Sequence, residues 1–204
     1  MTDTNPTQQR ILEAATQIFM ERGYTGARMQ AVADAAGINK AMLHYYFKNK
    51  DSLFQMILVE AMSKFIPRQM AVLMEEGPTV LEKMERQVEI FVPLLLENRH
   101  LPSFIMTEMQ RNGDKLLSKL KKTFGAESIL QSFMDQIERE VAEGKLRPFA
   151  PHDVYANTMS LMLFPFMSSP FLQSLYAMSD AQYEQFLENR AVSIRQYVRA
   201  ALTP

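Results

Sequence analysis

Cysteine and tryptophan are absent from this sequence, and only three of its 204 residues are histidine. Without a thiol there is no disulfide framework, no cysteine nucleophile and no thiolate metal site. His44, His100 and His152 stand far apart, with no second ligand at helical spacing, so no metal site is expected. Nor is there a credible nucleophile–base pair, and the chain does not read as an enzyme; no cofactor is implied. No apolar run approaches the ~20 residues of a membrane span, so no membrane association is expected. The opening residues, MTDTNPTQQ, carry no basic segment ahead of an apolar one and do not read as a signal peptide. A cytoplasmic location fits these absences. The chain also lacks a strong charge: the net value is −1, and residues 1–52 hold six basic against five acidic side chains. A protein that held nucleic acid by bulk charge would be far more basic, so any DNA contact must depend on where the charges sit.

The chain is 47% hydrophobic and 22% charged, the balance of a folded globular protein. Helical periodicity runs through nearly every segment, and no convincing alternating strand appears. Ile11, Ala14, Ala15, Ile18 and Phe19 make one apolar stripe, with Gly23 as its stop. A short segment from Met29 to Ala36 ends at Gly37, and another from about Lys40 to Phe47 has Asn39 as its N-cap. A longer helix starts near Lys50 and is expected to run to about Pro67. Beyond Gly77 and Pro78, Pro93 and Pro102 should bend or end two helices, Asn112–Asp114 reads as a turn, and Gly125 and Gly144 mark further breaks. The last two helices are expected over about 152–167 and 180–201. Ser179 and Gln182 have capping-box spacing at the start of the second. The fold class is therefore all-α.

Two short helices joined by a glycine turn form a helix-turn-helix, whose second helix enters the DNA major groove. Small residues Ala33 and Ala36 permit close approach of the two helices, Gly37 the turn, and Ile38 and Leu43 seal the joint. After that joint the sequence HYYFKNK places two ring hydroxyls and lysines together, groups suited to phosphate oxygens. The ordered string GYTGARMQAVADAAGINKAMLHYYFKNKDSLF, Gly23 to Phe54, resembles the DNA-binding domain of the TetR family of bacterial regulators. The match runs over about residues 7–54; beyond about residue 60 only the helical architecture is similar. The resemblance implies a homodimeric repressor that binds a DNA operator. Its domains would be a helix-turn-helix domain over 1–54 and a helical effector-binding and dimerisation domain over 55–204. It places Gln30, Lys40, Ala41, Met42 and Tyr45 near base edges, and Arg28, His44, Tyr46 and Lys50 near phosphates. Independently, Lys40 can donate to guanine, Ala41 and Met42 offer apolar contact to a thymine methyl, and Lys50 opens a helix whose amides favour an anion. Two residues depart from the family pattern. Arg28 stands where Thr or Ser would cap the second helix, and His44 stands where Tyr is common. A protonated His44 meets a phosphate better than a neutral one, so operator affinity is expected to weaken as the ring deprotonates.

Toward the C-terminus, Met159–Met178 is dense in methionine and aromatics, adaptable side chains that suit a pocket for an apolar or aromatic small molecule. Phe91, Phe104, Met106, Met109, Tyr155, Met159, Met162 and Phe166 are the candidate ligand-binding residues. Phe186, Ile194, Val198 and Leu202 are the candidate dimer residues, in a four-helix seam formed with the symmetry mates. The reading is a ligand-responsive transcriptional regulator, a repressor released from a palindromic operator by a small-molecule effector. The alternative is a helical carrier of an apolar molecule or partner helix, without specific DNA binding.

Overall fold

The computed structural model describes residues 5–99 and 101–204, which form eleven helices and no strand. Helix α1 (Pro6–Gly26) begins where the Asn5 side chain accepts from Thr7 N at 2.9 Å and Pro6 takes the first turn, where its missing N–H costs nothing. Gly23, with φ 64°, breaks the helical path where a stop was expected, and one further turn follows. Helices α2 (Met29–Ala35) and α3 (Lys40–Tyr46) flank the turn at Gly37, whose φ of 65° suits a residue without Cβ. Arg28 sits at the α2 N-cap without a side-chain bond to it, whereas the Asn39 side chain caps α3 by accepting from Met42 N at 2.7 Å. Helix α4 (Lys50–Met74) does not stop at Pro67. The proline removes a single donor, and burial of Phe65, Met70, Val72 and Leu73 carries the helix past it.

Two compact units meet in sequence between Lys64 and Phe65, inside α4, rather than after Phe54. The first turns of α4 belong to the N-terminal core: Phe54 meets Phe19 edge-on at 5.2 Å and Tyr24 at 4.9 Å, between ring centroids. Ile11, Ala15, Val32, Ala33, Leu43 and Leu53 complete that core.

In the C-terminal unit, α5 (Val80–Glu97) opens on a reciprocal cap. Thr79 N donates to the Glu82 carboxylate at 2.7 Å, and Glu82 N returns to the Thr79 hydroxyl. Pro93 does not end α5; it lies on the exposed side, and the buried stripe Val80, Met84, Val88, Phe91, Leu95 continues past it. Helix α6 (Leu101–Phe124) carries Pro102 in its first turn and is interrupted at Asn112, the expected turn, where φ is −144°. Helix α7 (Ala126–Ala142) follows Gly125. Then come α8 (Pro151–Met167), α9 (Ser169–Leu175), α10 (Asp180–Glu188) and α11 (Arg190–Leu202). The single helix expected over 180–201 is thus two, divided at Asn189, whose ψ of −7° departs from the helical value. The Ser179–Gln182 capping box is present.

Helix α5 is the centre of this unit and packs against α7, α8, α10 and α11. That packing corrects one expectation. Ile194, Val198 and Leu202 are buried in their own chain, and Ile194, at 1% exposure, is core, while Val198 and Leu202 also line the floor of a groove beside Tyr197. No helix among the described residues is long and apolar enough to cross a membrane.

Candidate DNA-binding surface and ligand core

On α3 the two sides separate sharply. Leu43 and the following Phe47 are buried, while Lys40, Ala41, Met42, His44 and Tyr45 are exposed, Tyr45 to 84%. Burial of Leu43 and the Asn39 cap hold the helix, so the outward side chains sit on a fixed support. Tyr45 meets Tyr46 edge-on at 5.3 Å. Tyr46 is half-buried, and its hydroxyl accepts from Asn5 Nδ2 at 3.1 Å, which ties the start of α1 to the end of α3. His44 Nδ1 lies 3.2 Å from Lys48 O. A carbonyl accepts, so Nδ1 carries the proton, and in the neutral ring Nε2 is left as an acceptor.

On α2, Arg28 and Gln30 are exposed, and Gln30 Nε2 donates to Asp34 Oδ1 at 2.8 Å. Lys50 differs from these. Its ammonium donates to Thr25 O at 3.3 Å and lies 4.5 Å from the centroid of the Tyr24 ring, so it braces the end of α1 against the start of α4. The arrangement offers a cation, apolar groups, a histidine and a phenol along one helix, chemistry suited to groove edges and phosphates.

The candidate ligand residues fall into three groups. Phe91, Phe104, Met162 and Phe166 are buried, and the Phe91 ring meets Phe65 at 5.8 Å. Met106 is half-buried, and Met109 is 51% exposed. Tyr155 and Met159 are brought together by Gln69, whose Nε2 donates to the Tyr155 hydroxyl at 2.9 Å and lies 3.0 Å from Met159 Sδ. Phe133 stands against the Tyr155 ring at 6.4 Å, and burial pushes the Tyr155 hydroxyl up to about 12.

Gln69 and Gln87 were missed in the sequence, as was Lys83. The signal was present: Lys83 and Gln87 are four residues apart on a face otherwise made of Val80, Met84, Val88 and Phe91. Gln87 Nε2 donates to Gln69 O at 2.8 Å, and its Oε1, fully buried, has no partner among the described residues. The Lys83 ammonium donates to Leu73 O at 2.8 Å and to Gln136 Oε1 at 2.7 Å. Burial pulls its pKa down, against the attraction of Glu140 and Glu75. Glu140 accepts from Val80 N at 3.0 Å and from Gln136 Nε2 at 2.7 Å. Lys83, Gln136 and Glu140 line an open cavity of about 670 Å³ that includes none of the candidate ligand-binding residues.

Of the candidate dimer residues, Phe186 is half-buried against Tyr183 and the Arg190 guanidinium. The exposed faces of the last helices are elsewhere. Asn157, Ser160 and Leu161 of α8 line one shallow groove with Tyr197 and Ala201 of α11, and Phe164 follows one turn on. His152 is exposed at the start of α8; His100 lies outside the described residues.

Comparison with known proteins matches the segment that contains α2 and α3. Residues 11–57 match the family model of bacterial regulatory proteins, tetR family. Over 144 residues, 71% of each chain, the sequence is 25% identical to the fatty acid metabolism regulator protein of Bacillus subtilis (strain 168). Over 114 residues it is 32% identical to the HTH-type transcriptional regulator UidR of Escherichia coli (strain K12), covering 54% of this chain and 56% of that one. The crystal structure of HlyIIR, a hemolysin II transcriptional regulator, shares the fold, with a TM-score of 0.63 over 97% of both chains at 21% identity.

Proposed function

This chain belongs to the TetR family of bacterial transcriptional regulators, and we propose that it acts in the cytoplasm as a homodimeric repressor of a palindromic operator. It is a ligand-responsive DNA-binding regulator and not an enzyme. The observation that carries the proposal is the exposed side of α3, where Lys40, His44 and Tyr45 face solvent while Leu43 is buried. In the proposed complex Lys40, Ala41, Met42, Tyr45 and Gln30 of α2 meet base edges, and Arg28, His44 and Tyr46 meet phosphates, with Lys50 supporting them from behind. Two such helices, one per subunit, would read half-sites about 34 Å apart.

The second subunit would cover the exposed side of α8 and α11, with Phe164, Leu161 and Tyr197 in place of the buried Ile194, Val198 and Leu202. The effector would be a small apolar molecule held in the C-terminal unit near Tyr155 and Met159. The fatty acid metabolism regulator among its relatives supports an apolar ligand of that kind. A ligand that prefers the state with low DNA affinity releases the operator by linkage.

Fluorescence anisotropy on the upstream DNA of its own gene, against scrambled DNA over a salt series, tests this. Specific binding is expected, with a log–log salt slope of about −0.9 for each phosphate neutralised. Replacing Tyr45 by Ala should weaken specific binding by about tenfold while leaving the melting temperature unchanged. Equal, weak binding to both DNAs would overturn the assignment of this operator.

A further inference from the structure

The core of the C-terminal unit contains a polar arrangement that packing alone does not require. Three helices are linked by uncharged polar groups through Gln69 of α4, whose backbone carbonyl accepts from Gln87 of α5 and whose side chain donates to Tyr155 of α8. Gln87 is 0% exposed and Gln69 is 5% exposed. The orientation of the Gln87 amide is set by its neighbour. Its Nε2 faces the Gln69 carbonyl at 2.8 Å, and turning the amide over would put two oxygens together. Its Oε1 is therefore a buried acceptor with no donor among the described residues. Tyr155 is the converse. Its hydroxyl oxygen already accepts from Gln69 Nε2, so its own proton remains to be donated. With its pKa pushed up to about 12 by burial, the phenol stays neutral at physiological pH. A buried acceptor without a donor is costly, and such groups persist where a partner arrives from outside.

We infer that Gln87, Gln69 and Tyr155 form the polar anchor of the effector site, and that this anchor selects an apolar molecule with an uncharged head that both donates and accepts hydrogen bonds. A primary amide has the matching pair: its N–H donates to Gln87 Oε1 and its carbonyl accepts from the Tyr155 hydroxyl. A carboxylate has no proton to give and would set a charged oxygen against the Gln87 carbonyl. Lys83, one turn earlier on α5, gives two of its three N–H groups to Leu73 O and Gln136 Oε1. Met159 beside Gln69, and Phe133 beside Tyr155, provide the apolar surroundings. This inference rests on the proposed effector-responsive function and names the head group that such an effector carries.

Octanamide and octanoate, matched in chain length, separate the two heads. The full-length protein is titrated with each, and binding is read from the shift in melting temperature and from calorimetry. Octanamide is expected to bind at least about tenfold more tightly than octanoate. Gln87→Leu should abolish that preference, and Tyr155→Phe, a change too small to threaten folding, should reduce it. Equal binding of the two probes, or binding of neither, overturns the inference. So does a preference that survives in both variants, which would mean that a buried water completes Gln87. Operator binding of the native protein, followed by anisotropy in parallel, reports on the regulator assignment separately. If the operator is bound and another compound releases it regardless of Gln87, the regulator stands and the anchor falls.

Discussion

The two units bury different things. Among the described residues, every buried polar or charged side chain, Gln69, Lys83, Gln87, Glu108, Glu140 and Thr158, lies beyond Lys64. The N-terminal unit buries only apolar side chains and keeps its chemistry outside, on α3 and around it. The difference follows from where each unit works. A surface that meets DNA needs a support that does not move, and an apolar core with side chains in close contact provides it. An interior that receives a molecule needs polar groups to orient it, and these can be held only by bonds to one another. Hence Lys83, Gln136 and Glu140 form a chain of hydrogen bonds in the C-terminal unit, while Leu43 and Phe47 hold α3 by contact alone.

The largest effect expected from breaking this comparison is at the apolar end. Leu43→Ala, which opens a cavity under α3, should cost about 2–5 kcal/mol in chemical denaturation of the N-terminal unit and remove operator binding with it. At the polar end, Lys83→Met should cost about 1–3 kcal/mol, because Leu73 O and Gln136 Oε1 both lose a donor. If Lys83→Met instead stabilised the protein, the chain of bonds would be dispensable and the contrast between the units would lose its polar half. A smaller change separates stability from function within the N-terminal unit. Arg28→Thr gives α2 the capping oxygen it lacks, so stability should rise by about 1 kcal/mol. Operator affinity should fall as a phosphate partner is lost, and a rise in both would remove Arg28 from the DNA surface. The smallest effect concerns His44. With Nδ1 bonded to Lys48 O, the protonated ring offers Nε2–H to a phosphate and the neutral ring offers a lone pair. His44→Ala should therefore weaken operator binding by a few-fold in anisotropy, and unchanged binding would remove His44 from the DNA surface.

The N-terminal unit was largely legible in the sequence because its signals are local. Asn39 caps the helix beginning one residue later, Gly37 makes the turn beside it, and Leu43 and Phe47 lie one turn apart on the buried side. Lys50 was less legible. Its position at a helix start suggested an anion, but Tyr24 and Thr25 arrive from more than twenty residues away and take up its ammonium. In the C-terminal unit the distances in sequence are longer still. Gln69 and Tyr155 are 86 residues apart and share one hydrogen bond, for which no spacing rule exists. The break at Asn189 escaped notice because helical period continues on both sides of it, and the persistence of α4 past Pro67 was decided by burial rather than propensity.

From the sequence by itself came the all-helical class, the caps and turns of the helix-turn-helix, and the outward side chains of α3. All of these depend on residues within a turn or two of one another. Periodicity also showed that the last helix has an apolar side, but it carries no information about what that side meets. Only the tertiary structure buried Ile194, Val198 and Leu202 where α11 packs on α5 and α8, and left Phe164 and Tyr197 exposed with Leu161 half-buried. It alone set Gln87 against the backbone carbonyl of Gln69, with an acceptor to spare, and the Gln69 side chain against Tyr155. The physical reason is the same in both cases: helical period records which side of a helix avoids water, and packing chooses the partner that covers it.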